Sequence, residues 1–594
     1  MRALSAALLL LFITSAWAVP FLDILSYGWL LCAGYASVIL LLAPVGLSLG
    51  LLCIGGALVA FLVFTNDIKI DRTHLPLTFT DLRISFDNPA GLAEAMGLPH
   101  VAVALIKGAL ILIAIALVGL MLRGWRRRQA AEKPQLPLVT LVALFGVLSI
   151  SATLFTVEAS HEFGRAANAD PNFWNPDGVT QFSRRIGLVP FLLATRWLDS
   201  EARAAFVDSS SDGINKADMA LARQFIRPTT IDKDKLPNIV LIQAESTFDP
   251  NTAFHLAEPY ANTILVHDSM TVAMGPLKII PIGGGSWVSE FEAVTGLDSR
   301  LFGYFGYYTH ASVSPYVKGG FARYLRSKGY QTYVFYSWPG EFFNARSAYG
   351  HYGFNTFLDS HDLGRGDGGG ETDLQMVDDF VARMKTDRAN PFFAFIPTSE
   401  NHAPHECLHF KPGDTMIATL AGTDSFGINC QLNEYMLRMR DTAVAFDRAR
   451  DFLADLQRET GRPFVIALYG DHQPHTFTGT DTAKFDFTPY RTKESVQHTV
   501  FKIDSSLPNV LDIPTPLPLS LMPTLLSAFV AGDADDLYLP ANLALFAACG
   551  EDFFKGASSY ETAVSESPFS DTESKSCSDM RARAVGAYRK AGAF

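Results

Sequence analysis

Apolar residues crowd the first part of the chain and thin out abruptly after it. A helix needs about 20 consecutive apolar residues to cross the hydrocarbon of a bilayer. Five stretches meet or approach that length: Leu4–Val19, Phe21–Ala43, Val45–Phe64, Val101–Leu122 and Leu136–Val157. They predict an N-terminal five-helix transmembrane domain over residues 1–157. The first stretch ends in Ala16-Trp17-Ala18, which also fits the cleavage site of a signal peptide. Further apolar stretches follow, so an uncleaved first helix is favoured, and the later topology is the same either way. Arg123, Arg126, Arg127, Arg128 and Lys133 crowd the loop between the fourth and fifth stretches. Basic loops stay cytoplasmic, so the fifth span carries everything after Val157 to the opposite side. Residues 158–235 read as a juxtamembrane connector, with a turn cluster at Asn175-Pro176-Asp177-Gly178. Within it, Ile186–Leu198 is apolar enough to lie on a membrane surface.

Beyond the connector the pattern changes to short apolar runs, rich in Val, Ile, Phe and Tyr, separated by amphipathic segments. Asn238–Ala244, Thr332–Tyr336, Phe392–Ile396, Phe464–Tyr469 and Thr499–Ile503 read as buried strands. Tyr316–Ser327, Asp373–Met384 and Asn433–Leu456 read as helices between them. Strands alternating with helices predict an α/β domain over residues 236–545, with a mostly parallel sheet between helices. Residues 546–594 read as a C-terminal extension, polar and peripheral after Cys577.

In such sheets ligands bind outside the carboxyl ends of the strands. Glu245-Ser246-Thr247 follows the first strand, Ser337-Trp338 the second, Thr398-Ser399-Glu400-Asn401-His402 the third and Gly470-Asp471-His472 the fourth. Glu245, Asp471 and His472 therefore make a candidate metal set. Two carboxylates and an imidazole suit Mn, Zn or Mg, and the imidazole disfavours a pure Mg site. The plainer alternative is that Glu245 caps a helix and Asp471 ends a turn. A candidate nucleophile stands in Ile282-Gly283-Gly284-Gly285-Ser286-Trp287-Val288-Ser289-Glu290-Phe291-Glu292. Glycines let the backbone approach a ligand, and Ser286 opens a predicted helix whose N-terminal amides favour an anion. A serine hydroxyl needs a base or a metal to become a nucleophile. Ser286 as a simple helix cap, and Ser289 as the nucleophile, are the alternatives.

Composition narrows the class. The 594 residues carry a formal net charge of -12, which argues against a nucleic-acid partner held by a basic surface. Cys32 and Cys53 fall in apolar runs, while Cys407 with Cys430 and Cys549 with Cys577 form two local pairs. In an exported domain these pairs read as disulfides, with cross-pairing of the four or four free thiols as the alternatives.

Several segments together resemble the lipoteichoic acid synthase and phosphoglycerol transferase family of the alkaline-phosphatase and sulfatase superfamily. They are Asn238-Ile239-Val240-Leu241-Ile242-Gln243-Ala244-Glu245-Ser246, Gly283-Gly284-Gly285-Ser286 with Glu290-Phe291-Glu292 and Thr295-Gly296-Leu297, Asn344-Ala345-Arg346, Asn401-His402 and Gly470-Asp471-His472. The loop Pro76-Leu77-Thr78-Phe79-Thr80-Asp81-Leu82 is similar to one between membrane spans in that family. The resemblance implies metal ligands at Glu245, Asp471 and His472, with Ser286 as nucleophile and fourth ligand. It implies substrate-phosphate contacts at Arg346 and His402, His402 being the second catalytic candidate, and an aromatic substrate contact at Phe343 or Trp338. It further implies a divalent metal (Mn first, Mg or Zn as alternatives) and a catalytic domain outside the bacterial inner membrane. The implied reaction moves glycerol phosphate from phosphatidylglycerol to a glycan or a glycerol-phosphate polymer through a covalent Ser286 intermediate. A phosphoethanolamine transferase of the same superfamily and a sulfatase-like hydrolase are the alternatives. The family nucleophile is usually threonine, and serine preserves the hydroxyl. A sulfatase needs Cys or Ser followed by x-Pro-x-Arg; Ser337-Trp338-Pro339 starts that pattern, but Glu341 occupies the arginine position.

Overall fold

The computed structural model describes residues 62–67, 69–70, 76–82, 161, 163–164, 176–205, 213–225, 235–366, 369–478, 485–508, 513, 515–530, 539–550, 553 and 574–592. The five predicted spans lie outside these residues except for the end of the third, as do the basic loop at 123–133, Cys32 and Cys53. Among the described residues no helix is long and apolar enough to cross a membrane. The chain forms two compact units, one with described residues between 62 and 205, the other with described residues between 213 and 592.

In the first unit, helices α1 (Pro176–Ile186) and α2 (Leu188–Ala205) follow one another across Gly187. Phe191 and Ala194 of α2 are fully buried and Leu198 nearly so. The apolar stripe expected to face a membrane surface is thus covered by protein. The loop 76–82 folds around Asp81, whose Oδ2 accepts from the Thr78 amide at 2.7 Å and the Thr78 hydroxyl at 2.6 Å. The Phe79 amide then donates to Thr195 Oγ1 of α2 at 2.9 Å.

The second unit is built on one eight-stranded sheet with strand order β4-β3-β5-β1-β6-β7-β2-β8. The strands are β1 (Asn238–Ala244), β2 (Thr271–Lys278), β3 (Gln331–Phe335), β4 (Thr356–Leu358), β5 (Phe392–Pro397), β6 (Phe464–Gly470), β7 (His498–Ser505) and β8 (Leu517–Pro518). The pairs from β4 to β6 are parallel. β7 runs antiparallel to both β6 and β2, and β8 runs parallel to β2, so β7 alone is reversed. Every residue of β1, β5 and β6 is buried, as expected of central strands covered on both faces.

Alternate residues supply the two faces. Val240, Ile242, Phe392, Ala394 and Ile396 join one core with Phe380 of α6 (Asp373–Thr386) and Leu453 of α7 (Phe426–Thr460). On the other face Phe393 meets Phe321 of α4 (Phe321–Ser327), and Phe395 meets Tyr349 of α5 (Ala345–Tyr352). Helix α3 (Ser286–Thr295) buries Phe291 against Tyr352. The C-terminal extension contributes α9 (Lys575–Lys590), joined to the end of α8 (Leu539–Cys549) by Cys549–Cys577. Cys407 is bonded to Cys430 of α7.

Candidate metal centre and nucleophile

β1 lies between β5 and β6, with Gln243 beside Pro397 and Ala244 beside Gly470. The residues that follow these strands therefore emerge side by side. Glu245, Asp471 and His472 each offer a ligand atom, and these atoms all lie within 4.8 Å of one another. All three side chains are buried.

Asp471 Oδ1 accepts the Ser246 amide at 2.7 Å and the His472 amide at 2.9 Å. Asp471 Oδ2 is buried with no hydrogen-bond partner among the described residues. Burial, and after it the Asp471 carboxylate, push the Glu245 carboxyl up to about 8. His472 Nδ1 lies 3.1 Å from the Gln473 carbonyl oxygen. A carbonyl only accepts, so Nδ1 carries the proton and the Nε2 lone pair faces the cluster. An orphaned buried carboxylate oxygen, a second carboxyl that resists ionisation beside it and an imidazole with its lone pair turned inward fit a divalent cation.

Ser286 completes the group. Its Oγ is 3.4 Å from Glu245 Oε2 and 3.2 Å from His472 Nε2. Gly283, Gly284 and Gly285 all have positive φ, and Gly285 caps α3 at φ 92°. The His475 ring lies against this turn: a β-carbon on Gly283 would come within 2.5 Å of His475 Nδ1. Ser289 is spent elsewhere, donating to the Asp471 carbonyl at 2.7 Å from a fully buried position.

The remaining expected residues make contacts of their own. His402 is exposed, with Nδ1 2.7 Å from the Ala403 carbonyl oxygen. A positive charge on its ring would oppose the rise at Glu245. Trp338 meets the His402 ring at 6.3 Å and stacks on Phe342 at 5.0 Å. Phe343, at φ 46°, stacks on Trp287 at 4.0 Å, one residue from the nucleophile. Phe342 and Phe343 touch edge to face at 4.7 Å, so an aromatic row runs from Trp287 to His402. Arg346 is paired with two carboxylates. Its guanidinium donates to Asp359 and, at 2.9 Å, to Asp362.

Sequence reasoning missed Arg438, which donates to the Glu400, His402 and Pro404 carbonyls at 3.2, 2.9 and 3.2 Å. Nothing in the pattern of α7 singles this arginine out. His475 was also missed, although its place four residues after Asp471 was a usable signal.

Comparisons with known proteins show what the chain is similar to. Residues 237–501 match the family model described as Sulfatase. An uncharacterized protein of Haemophilus influenzae is 27% identical over 249 residues, covering 40% of this chain and 44% of that protein. A Rhizobium meliloti protein assigned provisionally to cyclic β-1,2-glucan modification is 23% identical over 248 residues, covering 40% of this chain and 36% of that one. The chain thus spans less than half the length of these curated relatives. Among solved structures, the phosphoglycerol transferase GacH of Streptococcus pyogenes, in complex with sn-glycerol-1-phosphate, aligns with a TM-score of 0.40 and 17% identity. That alignment covers 66% of this chain and 92% of that one.

Proposed function

From the match of residues 237–501 to the Sulfatase family model, we propose that the protein is a membrane-bound phosphotransferase that moves glycerol phosphate from phosphatidylglycerol to a glycan. The observation that carries this reading is the placement of Ser286 Oγ, within 3.4 Å of Glu245 Oε2 and 3.2 Å of His472 Nε2 at the ends of the central strands. Glu245, Asp471, His472 and Ser286 would hold the cation. A divalent cation bound there, Mn being the first choice, supplies the positive charge that lets a serine hydroxyl ionise near neutral pH.

Ser286 Oγ attacks the lipid phosphorus and forms an O–P bond as the bond to the diacylglycerol oxygen breaks. That oxygen leaves with the electron pair and takes a proton. A hydroxyl of the acceptor then attacks the same phosphorus, gives up its proton and displaces Ser286 Oγ. His402, whose Nδ1 donates to the Ala403 carbonyl, would pass these protons through Nε2. The first-turn amides of α3 favour the anionic phosphoryl group. Phe343, stacked on Trp287 next to Ser286, and Trp338, stacked on Phe342, would contact the substrate. Arg346 reaches a phosphate by exchanging Asp362, the exposed member of its carboxylate pair.

The predicted N-terminal spans fit a lipid donor, because an enzyme held in the membrane meets it by diffusion in the plane. The glycan acceptor follows the assignment of the Rhizobium relative. Under the predicted topology the catalytic domain faces the periplasm. The test is incubation of the full-length protein with labelled phosphatidylglycerol and Mn, followed by measurement of diacylglycerol release and of the mass added to the acceptor. Release together with a phosphoglycerol increment is expected, and Ser286→Ala should lower the rate by at least about 10³-fold without unfolding the protein. A phosphoethanolamine increment from phosphatidylethanolamine would transfer the assignment to the alternative donor. Full turnover by Ser286→Ala would remove the nucleophile.

A further inference from the structure

Ser246 follows Glu245 at the end of β1, and its side chain is almost entirely buried. Its backbone is left-handed, at φ 52°. That conformation is strained for a residue with a β-carbon and persists where the surroundings demand it. The demand is visible in its two hydrogen bonds. Ser246 Oγ donates to Glu245 Oε1 at 2.7 Å, and the Ser246 amide donates to Asp471 Oδ1 at 2.7 Å.

Successive side chains of an extended strand point to opposite faces. The Ser246 hydroxyl reaches the carboxylate of its own predecessor only because the backbone turns at this residue. Glycine would adopt the same turn without strain, but it would leave Glu245 Oε1 without this donor. Ser246 thus occupies one oxygen on each of two carboxylates that come from different strands. The oxygens it leaves are Glu245 Oε2, which faces Ser286 Oγ, and Asp471 Oδ2, which has no hydrogen-bond partner among the described residues.

We propose that Ser246 is a positioning residue that orients both carboxylates toward a divalent cation, so that its hydroxyl sets the affinity of the centre. The proposal rests on the metal reading given above. Neighbouring groups that orient metal ligands typically account for about 10- to 100-fold in affinity.

The experiment titrates Mn alone into metal-free full-length protein in detergent by calorimetry, for the wild type, Ser246→Ala, Ser246→Gly and Glu245→Gln. The melting temperature of each metal-free protein is recorded alongside. Ser246→Ala and Ser246→Gly should both bind Mn about 10- to 100-fold more weakly. Ser246→Gly, relieved of strain, should melt no lower than the wild type without metal. Unchanged Mn affinity in both variants, with Glu245→Gln abolishing binding, would overturn the role of Ser246 and leave the metal centre intact. A merely structural serine would give that same result, with only the metal-free melting temperature lowered. Wild-type protein that fails to bind Mn would overturn the metal reading and this proposal together.

Discussion

A β-carbon on Gly470 would lie 1.7 Å from the Thr247 carbonyl oxygen. The turn after Glu245 closes directly over the residue before Asp471, and no rotamer change relieves a clash with backbone. Gly470→Ala should therefore destabilise the domain by about 1–3 kcal/mol, in the range of overpacked interiors, and weaken Mn binding because Thr247 and Asp471 must move apart. Normal melting with normal Mn affinity would contradict the close approach. The glycine in Gly470-Asp471-His472 was legible as part of a motif, but its reason was not, since the clash is with a residue from another strand. The same holds across the site. Glu245, Asp471, His472 and Ser286 stood out because strand ends and glycine turns are visible in one dimension. Ser246 bonds Asp471, and Arg438 three carbonyls, far along the chain, and neither carries a local pattern.

Helix α7 does more than cover the sheet. Arg438 binds three carbonyls of the loop that carries His402, each through a charged donor. Arg438→Ala should lower turnover by about 10- to 100-fold with Mn binding unchanged, as expected when a reacting group is misplaced. Arg438→Lys, with a single donor group, should fall between the two, and wild-type turnover in the alanine variant would remove the positioning role. The helix was expected from Asn433 to Leu456 and is observed from Phe426 to Thr460. Its first turns hid because Asn429 and Asn433 face inward to bind loop backbone, so no apolar period marks them. Conversely, the helix expected from Tyr316 begins at Phe321, after Gly319 and Gly320. The central strands were legible because burial on both faces leaves continuous apolar runs. β2 was not, since it is half-buried and contains Gly275 and Pro276, and neither was the reversal of β7. Helix α3 adds a pH-dependent term. Burial pushes Glu290 up to about 7 from an ordinary 4.5, although Tyr349 donates to it at 2.7 Å. The folded protein thus favours the protonated acid, whose contribution is complete below pH 4.5 and lost as the pH rises through 7. Denaturant midpoints of the metal-free protein should fall from pH 5 to pH 8, and Glu290→Gln should flatten that slope; an unchanged slope would place the titration elsewhere.

The two disulfides brace different parts of the catalytic unit, and their removal should separate stability from activity. Each closes a short loop, with sequence separations of 23 and 28. The chain-entropy account gives about 3–4 kcal/mol for loops of that size. Cys549–Cys577 fastens α9, which has further attachments: Arg581 donates to the Phe553 carbonyl at 3.0 Å, and Tyr588 donates to Asn542 at 2.6 Å. Asn542 in turn donates to the carbonyl of Gly296, just past the far end of α3 from Ser286. Helix α9 therefore holds the rear of the nucleophile helix, at the end away from Ser286. Cys407–Cys430 lies on the working side. It pins the segment after His402 to α7, one helix turn before Glu434, which accepts from the Leu408 amide at 2.8 Å and from the His409 ring at 2.8 Å. Cys577→Ser should lower the unfolding free energy by about 3–4 kcal/mol and leave kcat within about twofold. Cys407→Ser should cost a similar amount and also lower kcat, by about tenfold or less, because Glu434 and Arg438 still hold parts of the loop. Denaturant unfolding and steady-state turnover on the same preparations, after peptide mapping without reductant to verify the bonds, distinguish the cases. Equal losses of kcat in the two variants would mean that the bond next to His402 has no special bearing on the reaction, and that both act only through the folded fraction.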